Sequence, residues 1–191
     1  MCNKDDDTQT SQYIGIDLGA GKKGKSFTTK FIFEKQKKAG TVAMIFNPLG
    51  LNGASILNKS IHCVITSTYV SIQLLSNGSR DTYAEHVFST PLSLDGFTEN
   101  TATISINNNT ITTTINGTTY VDTFTGYNLD NYNGRYAIYE FYCLSNRTFT
   151  SLPEFTYVDI VDNANTHYID NFHRPNGLLT VMPNGTPYTL F

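Results

Sequence analysis

The chain has no tryptophan, three cysteines, three methionines and six prolines in 191 residues, and only 15% of its positions are charged. An average soluble domain carries about 25% charged residues. Each shortage excludes something. Cys2, Cys63 and Cys143 are too few and too scattered for a disulfide scaffold, and Cys63 and Cys143 sit in apolar runs where a free thiol packs as a small core residue. A formal net charge of −3 supplies no basic field to neutralise phosphates or anionic lipids, so nucleic acid is not an expected partner. No stretch approaches the roughly 18 apolar residues that a membrane-crossing helix needs, and the expectation is a soluble chain with no transmembrane segment.

What is abundant points one way. Phe and Tyr each number 12, aromatics reach 13%, and Asn and Thr together make up about a quarter of the residues. Thr and the aromatics favour strands, and Asn favours turns. The aromatic content is more than a disordered chain would carry. The length suits one domain.

Residues 1–12 are polar, carry three consecutive acids at Asp5, Asp6 and Asp7, and show no periodicity, which marks a flexible leader. From Tyr13 the apolar period is two: Ile14, Ile16 and Leu18, then Phe27, Phe31 and Phe33 beyond a Gly/Lys-rich turn. That turn, Gly19 to Lys25, lacks the Gly-Lys-Ser/Thr ending of a phosphate loop. Thr41 to Phe46 stops at Asn47-Pro48. Ile61, Cys63 and Ile65 alternate, and Tyr69 to Leu75 runs to Asn77-Gly78, so these two segments read as adjacent antiparallel strands. Ala102 to Ile106, Ile111 to Ile115 and Tyr120 to Phe124 form a three-stranded meander through Asn-rich turns. Gly134 to Cys143 is apolar on both faces and is expected to be central. Phe155 to Ile160 alternates again, and residues 163–191 read as a C-terminal arm or edge hairpin appended to a sandwich spanning 13–162.

No segment longer than about ten residues holds a helical apolar period, and short strands at regular spacing predict an all-β fold, a two-sheet antiparallel β-sandwich of jelly-roll type. An immunoglobulin-type sandwich is the alternative, weakened by the absence of Trp and of a pairable Cys set.

Chemistry-bearing motifs are sparse. His62, His86, His167 and His173 lack zinc-ligand spacing, so no metal site is expected from them, while Asp159, Asp162 and Asp170 could build a calcium site from loop oxygens. No nucleophile elbow is present. Glu140 is the acid embedded in the most aromatic strand, and Tyr136 and Tyr142 share its face by alternation, giving a surface on which sugars could stack. The plainer role for Glu140 is pairing with Arg135 or Arg147 near a sheet end.

Two resemblances follow from these residues. The run from Lys59 to Gly134, with Ser60-Ile61-His62-Cys63, Leu94-Asp95-Gly96, Ile115-Asn116-Gly117 and Gly134-Arg135-Tyr136, resembles the concanavalin A-like jelly rolls, and among them the lectin-type domains of bacteriophage tail fibres and virion appendages. That resemblance implies a non-catalytic glycan-binding module on a virion or cell surface, with His62, Arg135, Tyr136, Glu140 and Tyr142 as ligand-binding candidates, no catalytic residue and no obligatory cofactor. It also implies alternatives: a structural assembly protein acting through contacts with protein subunits, or a sugar-cleaving enzyme of the same fold using His62, Glu140 and Tyr136 or Tyr142. Alginate-lyase-like enzymes share Ile61-His62, but Ser60 stands where their Gln is expected and no Arg-X-Glu-X-Arg strand exists. The string Cys2-Asn3-Lys4-Asp5-Asp6-Asp7 separately resembles the start of mature Bacteroidetes surface lipoproteins, which implies acylation at Cys2.

Overall fold

The protein is seen here as a computed structural model that describes residues 10–33, 41–52, 56–143, 154–172 and 185–190, with side chains described for 14–33, 41–52, 56–139, 155–172 and 185–188. Cys2 and the acidic leader lie outside the described residues. Thirteen strands occur among the described residues: β1 (Thr10–Asp17), β2 (Gly24–Ile32), β3 (Thr41–Phe46), β4 (Ser60–Thr66), β5 (Tyr69–Ser76), β6 (Ser79–Val87), β7 (Glu99–Asn107), β8 (Thr110–Ile115), β9 (Thr118–Thr123), β10 (Tyr136–Cys143), β11 (Glu154–Asp162), β12 (His167–Asp170) and β13 (Tyr188–Leu190). They form two antiparallel sheets, one ordered β13-β1-β10-β3-β4-β5-β6 and the other β12-β11-β2-β7-β8-β9. This is the two-sheet sandwich that the alternation predicts. As expected, β10 is central, paired with β1 on one side and β3 on the other.

Period two explains the packing. On β2, Phe27, Thr29 and Phe31 are buried, while Ser26, Thr28 and Lys30 are half-buried on the opposite face. Phe27 stacks edge-on against Phe46 of β3 and Tyr139 of β10, with ring centroids 5.5 Å and 4.9 Å apart, and so joins the sheets through their inner faces. The outer face of the six-stranded sheet absorbs much of the threonine: Thr28 and Thr103, Thr114 and Thr119, and Thr110 and Thr123 pair hydroxyl to hydroxyl across neighbouring strands at 3.0–3.3 Å. The hairpin turns Asn77-Gly78 and Asn116-Gly117 have positive φ at both residues, the left-handed pair that a two-residue hairpin requires and Asn-Gly supplies cheaply.

Two boundaries differ from the sequence reading. β1 begins at Thr10, inside the expected leader. Residues 163–191 contribute an edge strand to each sheet, β12 beside β11 and β13 beside β1, because Tyr168, Asp170 and Tyr188 are buried and tie them into the sandwich. The hydroxyl of Tyr188 donates to Asp170 Oδ2 at 2.6 Å and closes that side between the two edge strands. On the other open side, His86 of β6 meets both carboxylate oxygens of Asp122 of β9 at 2.9 and 3.0 Å and stacks on Tyr120.

At one end of the sandwich the sheets are joined by Asn47, which follows β3. It is buried at 2% exposure and sits at φ 58°. Its side chain accepts from the Gly24 amide of β2 at 2.6 Å and donates to the Gly24 carbonyl at 3.1 Å. Its backbone N–H donates to Tyr136, and its carbonyl accepts from Gly134. A Cβ on Gly134 would fall 1.8 Å from the Pro48 carbonyl oxygen, so the backbones approach there as only glycine allows. Asn47→Ala orphans a buried donor and a buried acceptor at once, each worth about 1–3 kcal/mol. Urea denaturation is expected to show a loss of about 3 kcal/mol, and a loss below about 1 kcal/mol would remove Asn47 from this role.

Candidate functional site

The outer face of the seven-stranded sheet is read row by row from its register. One row runs Gly15, Ile138, Ile45, His62, Gln73, Tyr83 across β1, β10, β3, β4, β5 and β6. The next row runs Glu140, Ala43, Val64, Ser71, Glu85. The middle of the face is covered from within the chain: Ile56, with Leu51 against it, packs on Ile45 and Ile138.

This cover decides the fate of His62. Its ring is buried at 6% exposure, and its Nε2 lies 2.9 Å from Ser60 Oγ and 3.4 Å from the Ile56 carbonyl. Ser60 Oγ donates to that carbonyl, so it accepts from the His62 N–H. Burial lowers the His62 pKa to about 4, against a small opposing pull from the Ile56 carbonyl. The ring is a neutral, satisfied packing group that a glycan cannot reach, which corrects the expectation that it contacts a ligand.

The other candidates separate. Arg135 lies at the sandwich end, 2.9 Å from Asp17 and 5.3 Å from the centroid of the half-buried Tyr136 ring. Glu140 and Tyr142 are backbone positions of β10, paired with Ala43 and Thr41 of β3; their side chains lie outside the described residues. Glu140 and Glu85 share a register row but stand four strands apart, roughly 19 Å at about 4.8 Å per strand. Carboxyl pairs that cleave glycosides stand about 5–9.5 Å apart.

The acids weighed as calcium ligands do not converge. Asp159 pairs with His167 at 3.0 Å, and Asp170 accepts from Tyr188 and the Phe172 amide. Asp162 accepts from Lys22, the Ala164 and Thr166 amides and Tyr168. Burial works against ionisation of Asp162, and those donors outweigh it, holding its pKa at about 2. Among the described residues no cluster of three potential metal ligands exists.

Among the described residues, what is exposed on this face is β6, where Arg80, Tyr83, Glu85 and Val87 are exposed, while on β5 Ser71 and Leu75 are buried and Gln73 is half-buried. Tyr83 is 53% exposed and stands in register with Gln73. The guanidinium of Arg80 lies 4.3 Å from the Tyr83 ring centroid. Residues 80 and 83 would fall on opposite faces of a regular strand. A bulge on β6, opposite Leu74 and Leu75 of β5, pairs Leu75 with Arg80 and Leu74 with Thr82, leaving Asp81 as the extra residue and bringing Arg80 onto the face of Tyr83. The Asp81 carboxylate is engaged by the Ser76 hydroxyl at 2.6 and 2.7 Å, and its carbonyl by the Tyr127 hydroxyl at 3.2 Å, which anchors the bulge. Glu85 follows one row on, opposite Ser71. Lys22, Lys23, Lys30 and Arg135 each pair with a carboxylate, whereas among the described residues neither Arg80 nor Glu85 has an ion pair. A half-exposed ring flanked by an amide, a guanidinium and a carboxylate is the composition of a small polar ligand site. Sequence reasoning missed all four residues. The signal for them is the alternation of Arg80, Tyr83, Glu85 and Val87 beyond the Asn77-Gly78 turn, which is polar and broken by the bulge.

The lowered His62 pKa has a stability consequence. An unfolded histidine binds its proton near pH 6.5, whereas the folded ring resists it until about pH 4, so the unfolded state gains protons first and stability falls as pH drops through that window. His62→Gln is expected to flatten this part of the profile, reducing the loss between pH 7 and pH 4 by about 3 kcal/mol in denaturation measured across pH. Identical profiles for the two proteins would contradict the buried neutral state.

No protein-family model matches the sequence, and no curated protein matches it. Solved structures do. The chain is similar to the carbohydrate binding module CBM66 from Bacillus subtilis, with TM-score 0.52 and 10% identity over 78% of this chain and 80% of that one. It is also similar to sheep galectin-11, with TM-score 0.46 and 10% identity over 78% and 97%, and to congerin II with bound lactose and MES, with TM-score 0.48 and 14% identity over 80% and 99%. At 10% identity the likeness to the carbohydrate binding module is one of fold alone, the jelly-roll β-sandwich.

Proposed function

We propose that the protein is a non-catalytic glycan-binding module and that its binding surface is the outer face of β5 and β6 around Tyr83. The observation that carries this reading is the Tyr83 ring, 53% exposed on a sheet face, held by Arg80 on one side and aligned with Gln73. Sugars present flat C–H faces that pack on aromatic rings, and hydroxyl arrays that need donors and acceptors at the ring's margin. Gln73 supplies both, Arg80 donates and Glu85 accepts. The structural likeness to a carbohydrate binding module supports the fold on which such a site would sit. A virion appendage or a cell surface is the proposed setting, on the strength of the sequence resemblance to phage lectin-type domains.

Screening a broad glycan array, then measuring affinity for the bound glycans by calorimetry, tests the reading. Tyr83→Ala is expected to weaken binding about tenfold or more, the cost of truncating an aromatic hot spot. Tyr136→Ala, made at the Arg135 end of the sandwich, is expected to change it less than twofold. The opposite pattern would move the site to Arg135 and Tyr136, and an array with no bound glycan would overturn the function.

A further inference from the structure

The glycan reading leaves open which sugars the site favours, and the charges beside Tyr83 answer that. Among the described residues, Lys22, Lys23, Lys30 and Arg135 pair with Asp162, Asp130, Glu99 and Asp17, while Lys25, Lys59 and Arg80 have no carboxylate partner, and of these three Arg80 lies over an exposed ring on the outer sheet face. Arg80 is exposed and has no carboxylate partner among the described residues. Its immediate acidic neighbour, Asp81, is the bulge residue; its carboxylate accepts from the Ser76 hydroxyl and forms no ion pair with Arg80. The Arg80 guanidinium lies over the Tyr83 ring at 4.3 Å, and no hydrogen bond or ion pair to its N–H groups is seen among the described residues, so its fork can donate two parallel hydrogen bonds to a carboxylate. Glu85 is paired with Ser71, and Arg80 with Leu75, four residues apart on β5, so their backbones stand roughly 13 Å apart along the strand, with Tyr83 between them and the Arg80 guanidinium reaching over its ring.

From this geometry we infer that the site takes a carboxylated oligosaccharide in one orientation, with the acidic sugar at Arg80, the pyranose face on Tyr83 and a neutral unit at Glu85. The carboxylate of Glu85 accepts hydroxyl protons and repels an anion, so the same charge that binds the neutral unit opposes the reversed orientation. This inference rests on the glycan-binding reading and adds the charge of the ligand to it.

The experiment compares a panel of uronate-containing oligosaccharides with their carboxyl-reduced counterparts, measured by calorimetry at 0.15 M salt against wild type, Arg80→Gln, Arg80→Lys and Tyr83→Ala. Wild type is expected to bind the acidic forms about tenfold tighter than the reduced ones. Arg80→Gln is expected to abolish that preference while keeping affinity for the reduced forms within about threefold, and Arg80→Lys to restore part of it, because a point charge replaces the fork. Tyr83→Ala is expected to lose both. Equal affinity of wild type for acidic and reduced forms would overturn the charge preference and leave the glycan reading standing. A panel that wild type does not bind in either form, joined to a blank array, would overturn both. Arg80 is exposed, so unchanged melting temperatures are expected to show that the variants fold.

Discussion

The placement of everything else follows from the buried clasp at Asn47. A β-sandwich gains its stability from apolar inner faces, and that attraction fixes neither the offset of one sheet on the other nor the course of the connecting loops. Asn47 fixes both. Its amide pairs with Gly24 as a neighbouring strand would, across the gap between the sheets, while its backbone engages Tyr136 and Gly134 in the turn leading into β10. The chain leaving the clasp passes over the outer face of the seven-stranded sheet, where Ile56 and Leu51 cover Ile45 and Ile138 and exclude solvent from His62. Among the described residues, covering the middle of that face leaves β6, with Gln73 of β5 beside it, as its exposed part.

Scarce charge is spent in the same manner. The open sides of the sandwich are sealed by an aspartate on each edge of the six-stranded sheet, Asp122 with His86 and Asp170 with Tyr188. Asp162 holds Lys22 and the turn into β12, and Asp17 holds Arg135. Lys25 and Lys59 share with Arg80 the lack of a carboxylate partner, and what distinguishes Arg80 is its place over the exposed Tyr83 ring, in register toward Glu85. The threonine face of the other sheet is self-satisfied by comparison, since its hydroxyls bond to each other across the strands.

Most of the fold is legible in the sequence because inner-face burial writes itself as alternation. Phe27, Phe31, Ile61 to Ile65, Ala102 to Ile106 and Ile111 to Ile115 lie in strands with the faces that the period assigns. The Asn-Gly pairs mark the hairpins for a local steric reason that needs no tertiary context. What is not legible depends on contacts between distant segments. His62 alternates onto the outer face as the pattern says, yet it is buried by residues of a loop whose path is set at Asn47. Asn47 itself reads only as the stop before Pro48. β6 escapes hydropathy because it is an edge strand whose inner residues, Thr82, Ala84 and His86, are little more apolar than its outer ones, and the bulge at Asp81 breaks its phase. The strand that carries the site is therefore the one whose pattern is weakest, and the acid singled out by its aromatic context, Glu140, lies four strands away from it.

The most direct test of the account is a heteronuclear NMR titration of the assigned protein with a glycan selected from the array. The amides of Gln73, Arg80, Tyr83 and Glu85 are expected to shift with a common dissociation constant, while those of Arg135, Tyr136 and the threonine face, including Thr103 and Thr114, stay within error. Shifts confined to the threonine face or to the Arg135 end would contradict the assignment of the binding surface to β5 and β6.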